Sequence, residues 1–161
     1  MSPIMAILDA SDLALLQALS ADPRRAVTSL ADDLGMSRNT VQARMSRLER
    51  AGALLSYERA ISTTALGYPI DAFISVRLRQ PEIPRIRDEI ALIPEVVQAN
   101  GLAGSMDLLV RVACRDTPHL FTTDRRILAI DGVDRTETSL VMDELIPYRV
   151  APLIDLARSE R

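Results

Sequence analysis

Apolar residues recur along this chain with two different periods, and the change of period divides it in two. From Leu13 to Gly52 they fall three and four residues apart, as on amphipathic helices. Leu13, Leu16 and Leu19, with Leu15 and Ala18, form one stripe. Ser11 or Asp9 is placed to cap its start, and Asp22-Pro23 ends it, because the residue before proline is driven out of the helical region. A second helix is expected from near Thr28, whose hydroxyl would cap it, with Leu30, Ala31 and Leu34 inward and Gly35 as a left-handed stop. Met36 fills the turn and Ser37 is the expected N-cap of a third helix. On that helix Val41, Met45 and Leu48 share one face. Three helices in about fifty residues make a helix-turn-helix domain, since the motif needs another helix over its apolar side.

Ala53 to Ile61 turns strand-like, and Ser62 to Gly67 reads as a linker with room for one helical turn. Beyond it the period falls to two. Ile70, Ala72, Ile74, Val76 and Leu78 alternate with Asp71, Ser75, Arg77 and Arg79, the pattern of a half-buried strand. Pro81 to Ile93 carries Ile83, Ile86, Ile90 and Ile93 on one helical face, ended by Pro94. Val96 to Ala103 and Leu108 to Ala113 are two further strands about a turn at Gly104 to Asp107. Asp116-Thr117-Pro118 is a strong helix start. The helix it opens shows Leu120, Phe121, Ile127, Leu128 and Ile130 and is closed by Gly132. Val133 to Ile146 alternates again, with Thr136, Thr138, Leu140, Met142 and Ile146 on one side.

The fold class is therefore α+β: a winged-type helix-turn-helix domain over residues 1–62, then a βαββαβ ferredoxin-like domain over 63–161. Such a domain covers one face of its sheet with helices and leaves the other bare. With Phe73, Leu145 and other apolar residues available there, pairing with a second sheet is expected, which implies at least a dimer.

Composition narrows this only slightly. Hydrophobic residues at 48% with 25% charged describe a globular chain. A net charge of −3 speaks against indiscriminate coating of nucleic acid and leaves room for a local basic patch. All 19 basic residues are arginine, which suits bidentate contacts to guanine or phosphate. Met1 to Asp12 lacks a basic n-region, with Asp9 and Asp12 among its apolar residues, so no signal peptide is expected. No run approaches the ~20 apolar residues that span a bilayer. A soluble, cytoplasmic protein with no membrane partner is the expectation.

The third helix points to chemistry. At 100° per residue from Val41, its outward positions are Asn39, Gln42, Ala43, Ser46, Arg47 and Arg50. These residues can reach base edges, with one small side chain permitting close approach. Arg38, Arg44, Arg47 and Arg50 against Glu49 leave the segment three net positive charges. A helix-turn-helix lays its second helix in the major groove of double-stranded DNA. Gln42 and Arg47 are then expected on base edges, with Ser37, Arg38, Thr40 and Arg50 positioning the helix on phosphates. The plainer alternative is a solvated basic face on an ordinary helical pair.

Other reactive residues have simpler roles. His119 reads as a solvated first-turn residue, Cys114 as a small buried hydrophobe, and Asp32-Asp33 as part of a solvated helix face. A lone cysteine forms neither an intramolecular disulfide nor a metal cluster. With no nucleophile–base pair, metal-ligand spacing or Gly-rich phosphate loop, no catalytic residue, metal or cofactor is expected, and the chain reads as a non-enzyme. The alternative class is a metabolite-binding regulatory subunit or small enzyme built on the ferredoxin-like domain.

Leu8-Asp9 to Leu16, SLADDLGMSRNTVQARMSRLERAG, the Leu66-Gly67 junction, AGSMDLLVRV and VDRTETSLVMDELI together resemble the Lrp/AsnC family of transcription regulators. The resemblance implies a DNA-binding homodimer that assembles further, to tetramers or octamers. It also implies an amino-acid effector bound between dimers near a Gly-x-x-Asp loop. That loop is Gly104-Ser105-Met106-Asp107 here, with Met106 where relatives often carry an aromatic. Leu54-Leu55 stands where a valine or isoleucine pair is common. Asp107 would pair with the effector's ammonium, or serve only as a turn residue accepting backbone N–H groups. Thr136 and Thr138 are further effector candidates.

Overall fold

The computed structural model describes residues 8–55, 61–79 and 83–160, and these form two compact units. The described residues before 56, together with 146–160, make the first; residues 61–145 make the second.

The first unit holds α1 (Ala10–Ala21), α2 (Val27–Leu34), α3 (Arg38–Arg50) and a helix from the far end of the chain, Ala151–Ser159. Asp9 caps α1 in a reciprocal box. The Asp12 N–H donates to Asp9 Oδ1 at 2.8 Å, and the Asp9 N–H donates to Asp12 Oδ2 at 2.9 Å. α2 begins earlier than Thr28 suggests: its N-cap is Ala26, which offers no side-chain bond. The Leu30 N–H already bonds the Ala26 carbonyl at 3.0 Å, leaving Thr28 inside the first turn. Burial of Leu30 and Ala31 sets that register in place of a hydroxyl cap. Gly35, at φ 64°, ends α2 in the left-handed region, and the Met36 N–H turns back to the Ala31 carbonyl at 2.9 Å. Ser37 caps α3 by accepting the Thr40 N–H at 3.1 Å. Leu15, Leu30, Ala31, Val41 and Leu48 are the core, with Leu16, Leu19, Met36 and Met45 packed around it.

The terminal helix was not legible as an element, and its place corrects the expected domain division. Its first turn carries Pro152, where a missing N–H costs nothing. It packs on α1, and Gln17 Nε2 donates to Asp155 Oδ1 at 2.8 Å while Arg158 donates to Gln17. Residues from 146 onward therefore belong with the first unit and not with the sheet domain. The strand expected over Ala53–Ile61, and any wing it forms, falls largely on residues 56–60, outside the described residues.

In the second unit the Ser62–Gly67 stretch forms the single helical turn expected of it, with the Tyr68 N–H bonded to the Thr63 carbonyl at 2.9 Å. Then follow β1 (Ile70–Leu78), α4 (Ile83–Ala91), β2 (Val96–Gly101), β3 (Leu108–Cys114), α5 (Thr117–Leu128) and β4 (Val133–Leu140). The terminal helix is thus α6. The sheet is antiparallel in the order β2-β3-β1-β4, the ferredoxin-like arrangement. Ala72, Ile74, Val76, Val110 and Val112 bury their side chains with Ile86 and Ile90 of α4 and Leu120 and Ile127 of α5. β4 ends at Leu140, short of Ile146, because its neighbour runs out. Leu140 pairs with Ala72, the Val141 N–H still reaches the Asp71 carbonyl at 2.9 Å, and β1 starts one residue earlier at Ile70.

The other sheet face is less apolar than expected. Leu145 lies beyond β4 and is exposed. Phe73 does stand on the open face, opposite Arg111 in the register. Arg111 grips Asp71 at two points, its Nε donating to Oδ1 at 2.9 Å, and lies 5.8 Å from the Phe73 ring centre. No helix among the described residues is long and apolar enough to cross a membrane.

Because Ile154 is buried in α6, Ile154→Ala should cost about 2–4 kcal/mol. The expected result is faster hydrogen exchange in peptides of α1, measured by mass spectrometry, with β1 and β3 unchanged.

Candidate nucleic-acid interface and effector region

α3 buries Val41 and Leu48 and turns a polar face outward. Ser37, Arg38, Asn39, Thr40, Gln42, Ala43, Ser46, Arg47 and Arg50 are all exposed, so every residue expected at the DNA lies on the accessible surface. Ser37 Oγ, besides capping, lies 2.8 Å from the Thr40 hydroxyl, and Arg50 Nε donates to the Ser46 carbonyl at 3.1 Å. Val27, Gln42, Ala43, Met45, Ser46 and Glu49 line a shallow hollow on this face. Polar groups there sit beside methyl-bearing ones, the mixture that fits a base-pair edge with a thymine methyl.

The charges are not distributed as the sequence suggests. Asp12 on α1 is fully buried, and its carboxylate reaches α3. Arg44 Nη1 donates to Asp12 Oδ1 at 2.7 Å and to Asp9 Oδ2 at 2.7 Å, while Arg47 Nη2 donates to Asp12 Oδ2. Two of the four arginines of α3 are thus neutralised from within the protein, and Arg47, expected at a base edge, is already paired on one side. Burial pushes the Asp12 carboxyl upward. Hydrogen bonds from Arg47, the Asp9 N–H and Arg44 outweigh it and hold the group down at about 2. Arg44 likewise draws the Asp9 carboxyl below its usual range. Asp12 is the residue the sequence reading overlooked. Its signal was the Asp9-x-x-Asp12 spacing of a capping box, which aims a second carboxylate back along the helix.

In the second unit, the turn Gly104 to Asp107 sits beside β1. The Leu102 N–H bonds the Asp107 carbonyl at 2.8 Å and the Asp107 N–H bonds the Val76 carbonyl at 2.9 Å. The Asp107 carboxylate accepts the Leu78 N–H at 2.8 Å and lies 3.9 Å from Arg77 Nε. Arg77 also donates to the Ser105 carbonyl, and Arg135 lies 3.9 Å from Met106 Sδ. Gly104, Ser105, Met106 and Asp107 are therefore gathered with Arg77 and Arg135. Thr136 and Thr138 are not among them. They pair with Val76 and Ile74, whose side chains face the helices, and the Thr138 hydroxyl donates to Asp124 of α5 at 2.9 Å. Strand alternation puts these two threonines on the opposite face of the sheet from Arg77 and Arg135.

His119 is in the first turn of α5, as expected, but it is not solvated. Its Nδ1 accepts the Arg115 N–H at 3.1 Å, so Nε2 carries the proton toward Glu95 Oε1 at 2.9 Å. Burial pushes the Glu95 carboxyl up, and His119 and Arg126 more than reverse it, leaving it below its usual range. Cys114 is buried and its thiol is pushed up by that burial, as a small core residue's would be. Asp32 is exposed, and Asp33 pairs with Arg25.

A helical unit with an exposed polar recognition helix, joined to a ferredoxin-like unit, defines a two-domain DNA-binding regulator. Residues 8–49 match the AsnC-type helix-turn-helix domain and 71–151 match the Lrp/AsnC ligand-binding domain. The chain belongs to the Lrp/AsnC family and is a DNA-binding transcriptional regulator. It is 32% identical over 138 residues to an HTH-type transcriptional regulator of Pyrococcus abyssi, covering 83% of this chain and 85% of that one. It is 27% identical over 148 residues to regulatory protein AsnC of Escherichia coli K12, covering 91% and 97%. Among solved structures, E. coli AsnC superposes with a TM-score of 0.79 over 91% of this chain and 99% of that one, at 27% identity. A Neisseria meningitidis transcriptional regulator in complex with L-Met gives 0.75 at 25% identity, over 91% and 99%.

The depressed Asp12 carboxyl makes an acid prediction. A group held below its ordinary value of 3.8 stabilises the fold above that value, and the contribution is lost as pH falls through about 2. The first unit should lose about 2 kcal/mol between pH 4 and pH 2. Urea unfolding followed by circular dichroism should show this loss in the wild type and a flatter profile in Asp12→Asn.

Proposed function

We propose that the exposed face of α3 reads the major groove of double-stranded DNA, with Gln42 and Arg47 on base edges and Ser37, Arg38, Thr40 and Arg50 at phosphates. Asn39, Ala43 and Ser46 complete the contact surface. One observation carries this reading: all nine residues are exposed together on the helix that follows the left-handed turn at Gly35. The protein works by binding and not by catalysis, in keeping with relatives named as regulators. A cytoplasmic location follows from access to DNA.

The effector is an amino acid or a related small molecule bound at Gly104 to Asp107. An L-Met complex of a structural relative supports the ligand class. Arg77 beside the turn suits an α-carboxylate, and the part of the Asp107 carboxylate not used by the Leu78 N–H suits an ammonium. Thr136 and Thr138 drop out of this site, since they face α5. A homodimer formed through the open sheet face, assembling to a tetramer or octamer, places such sites where binding shifts assembly. Coupling to DNA affinity would then be of the usual 1–3 kcal/mol size.

Three measurements test these points. Gln42→Ala should weaken a duplex selected by the wild type from a random library by about 1–3 kcal/mol. A calorimetric screen of the amino acids should find a ligand that Asp107→Ala binds more weakly; equal binding to both proteins would move the pocket elsewhere. Light scattering should show at least a dimer at micromolar concentration, and a monomer would remove the assembly from the account.

A further inference from the structure

On the reading of α3 as the DNA-reading helix, we propose that Asp12 is a positioning residue for sequence selection. Its buried carboxylate holds Arg47 as an oriented base-reading donor that carries no weight as a phosphate ligand. Three facts support this.

Asp12 has no exposed side-chain surface, whereas Arg47 keeps 45% of its own exposed. Only Nη2 of Arg47 is committed to Asp12, and a guanidinium carries five N–H donors, so the others remain for a base edge. Asp12 is itself fixed. Oδ1 accepts Arg44, and Oδ2 accepts both Arg47 and the Asp9 N–H. Releasing Arg47 to a phosphate would strip a buried carboxylate of one of its two cations, which is costly.

The pair therefore persists on DNA. Asp9, Asp12, Arg44 and Arg47 together carry no net charge. Among the described residues, the arginines on α3 that make no ion pair with another side chain are Arg38 and Arg50, and these are left to displace counterions. A guanidinium held on one edge by a carboxylate presents a fixed fork, the geometry that bidentate guanine reading requires. Arg44 differs from Arg47 in role. It is mostly buried, touches both carboxylates, and ties α1 to α3 without reaching the surface face.

The test uses the full chain, a 30-base-pair random-sequence duplex and a duplex selected by the wild type from a random library. Binding is measured across a salt series. Each phosphate-neutralising charge contributes a slope of about 0.9 in log K against log salt. On the random duplex, Arg50→Ala should lower the slope by about 0.9 for each motif engaged, while Arg47→Ala leaves it unchanged. On the selected duplex Arg47→Ala should lose about tenfold in affinity. Asp12→Asn frees Arg47, so it should raise the slope on the random duplex by about 0.9 per motif and lose about tenfold on the selected one. Adding Arg47→Ala to Asp12→Asn should abolish the slope increase.

A fall in slope for Arg47→Ala matching that of Arg50→Ala would overturn the proposal, and in this variant Asp12 keeps Arg44 and the Asp9 N–H as donors. An increase in slope that survives in the double variant would also overturn it. A wild type that binds neither the random duplex nor any member of the library would remove the DNA-reading assignment itself, a failure distinct from the other two.

Discussion

The first unit depends on a carboxylate that has no access to water. An ionised Asp12 in the helical core would by itself be prohibitive, because desolvation disfavours the charged form. It is tolerated because donors arrive from two elements: the Asp9 N–H at the head of its own helix, and Arg44 and Arg47 from α3. The arrangement fixes the rotation of α3 relative to α1. A helix turned by one residue would carry Arg44 and Arg47 away from the carboxylate and bring Val41 and Leu48 out of the core. Electrostatics and packing thus specify one orientation, and the polar face of α3 is outward as a consequence. Replacing the cluster by apolar residues could cost no stability, so its value lies in specificity of arrangement.

The second unit settles its polar groups differently. Its core is apolar but for Thr123, whose hydroxyl donates to the His119 carbonyl at 2.9 Å, and its ion pairs lie at the margins. Glu95, just before β2, accepts from His119 and Arg126 of α5, while the Ala113 N–H bonds the Glu95 carbonyl at 2.9 Å. This joins β2, β3 and α5 at one end of the sheet. On the open face the Asp71–Arg111 pair lies across two strands beside Phe73. A sheet face so composed can meet another only where the partner leaves room for charge, which favours one register of pairing over a sliding apolar contact.

Much of the fold was legible because local chemistry and burial agreed. The alternation of Ile70 to Leu78, the isoleucine stripe of α4, the Asp116 cap and the Gly35 stop are each short-range signals that tertiary packing reinforced. What misled was long-range. Thr28 has the chemistry of a cap but lies in a helix whose register is set by Leu30 and Ala31. β4 is shorter than its alternating pattern because it runs antiparallel past the start of β1 at Ile70, a pairing that its own alternation does not reveal. α6 is short, and nothing in its sequence says that its partner is α1, some 130 residues earlier. At the DNA face, helical periodicity gave the outward residues but not the carboxylates that reach across to Arg44 and Arg47. At the Gly104–Asp107 turn, strand parity alone would have separated Thr136 and Thr138 from Arg77 and Arg135, had the pairing of β1 with β4 been known.

The orientation of α3 depends on Asp12 being ionised and paired, and its carboxyl carbon reports that directly. A carbon-13 NMR titration of Asp12, in the free protein and bound to duplex DNA, should show the group ionised in both states. The free protein's midpoint should lie at about 2. A midpoint near the ordinary 3.8 in the free protein, or an Asp12 signal that moves to that range when DNA binds, would contradict the account.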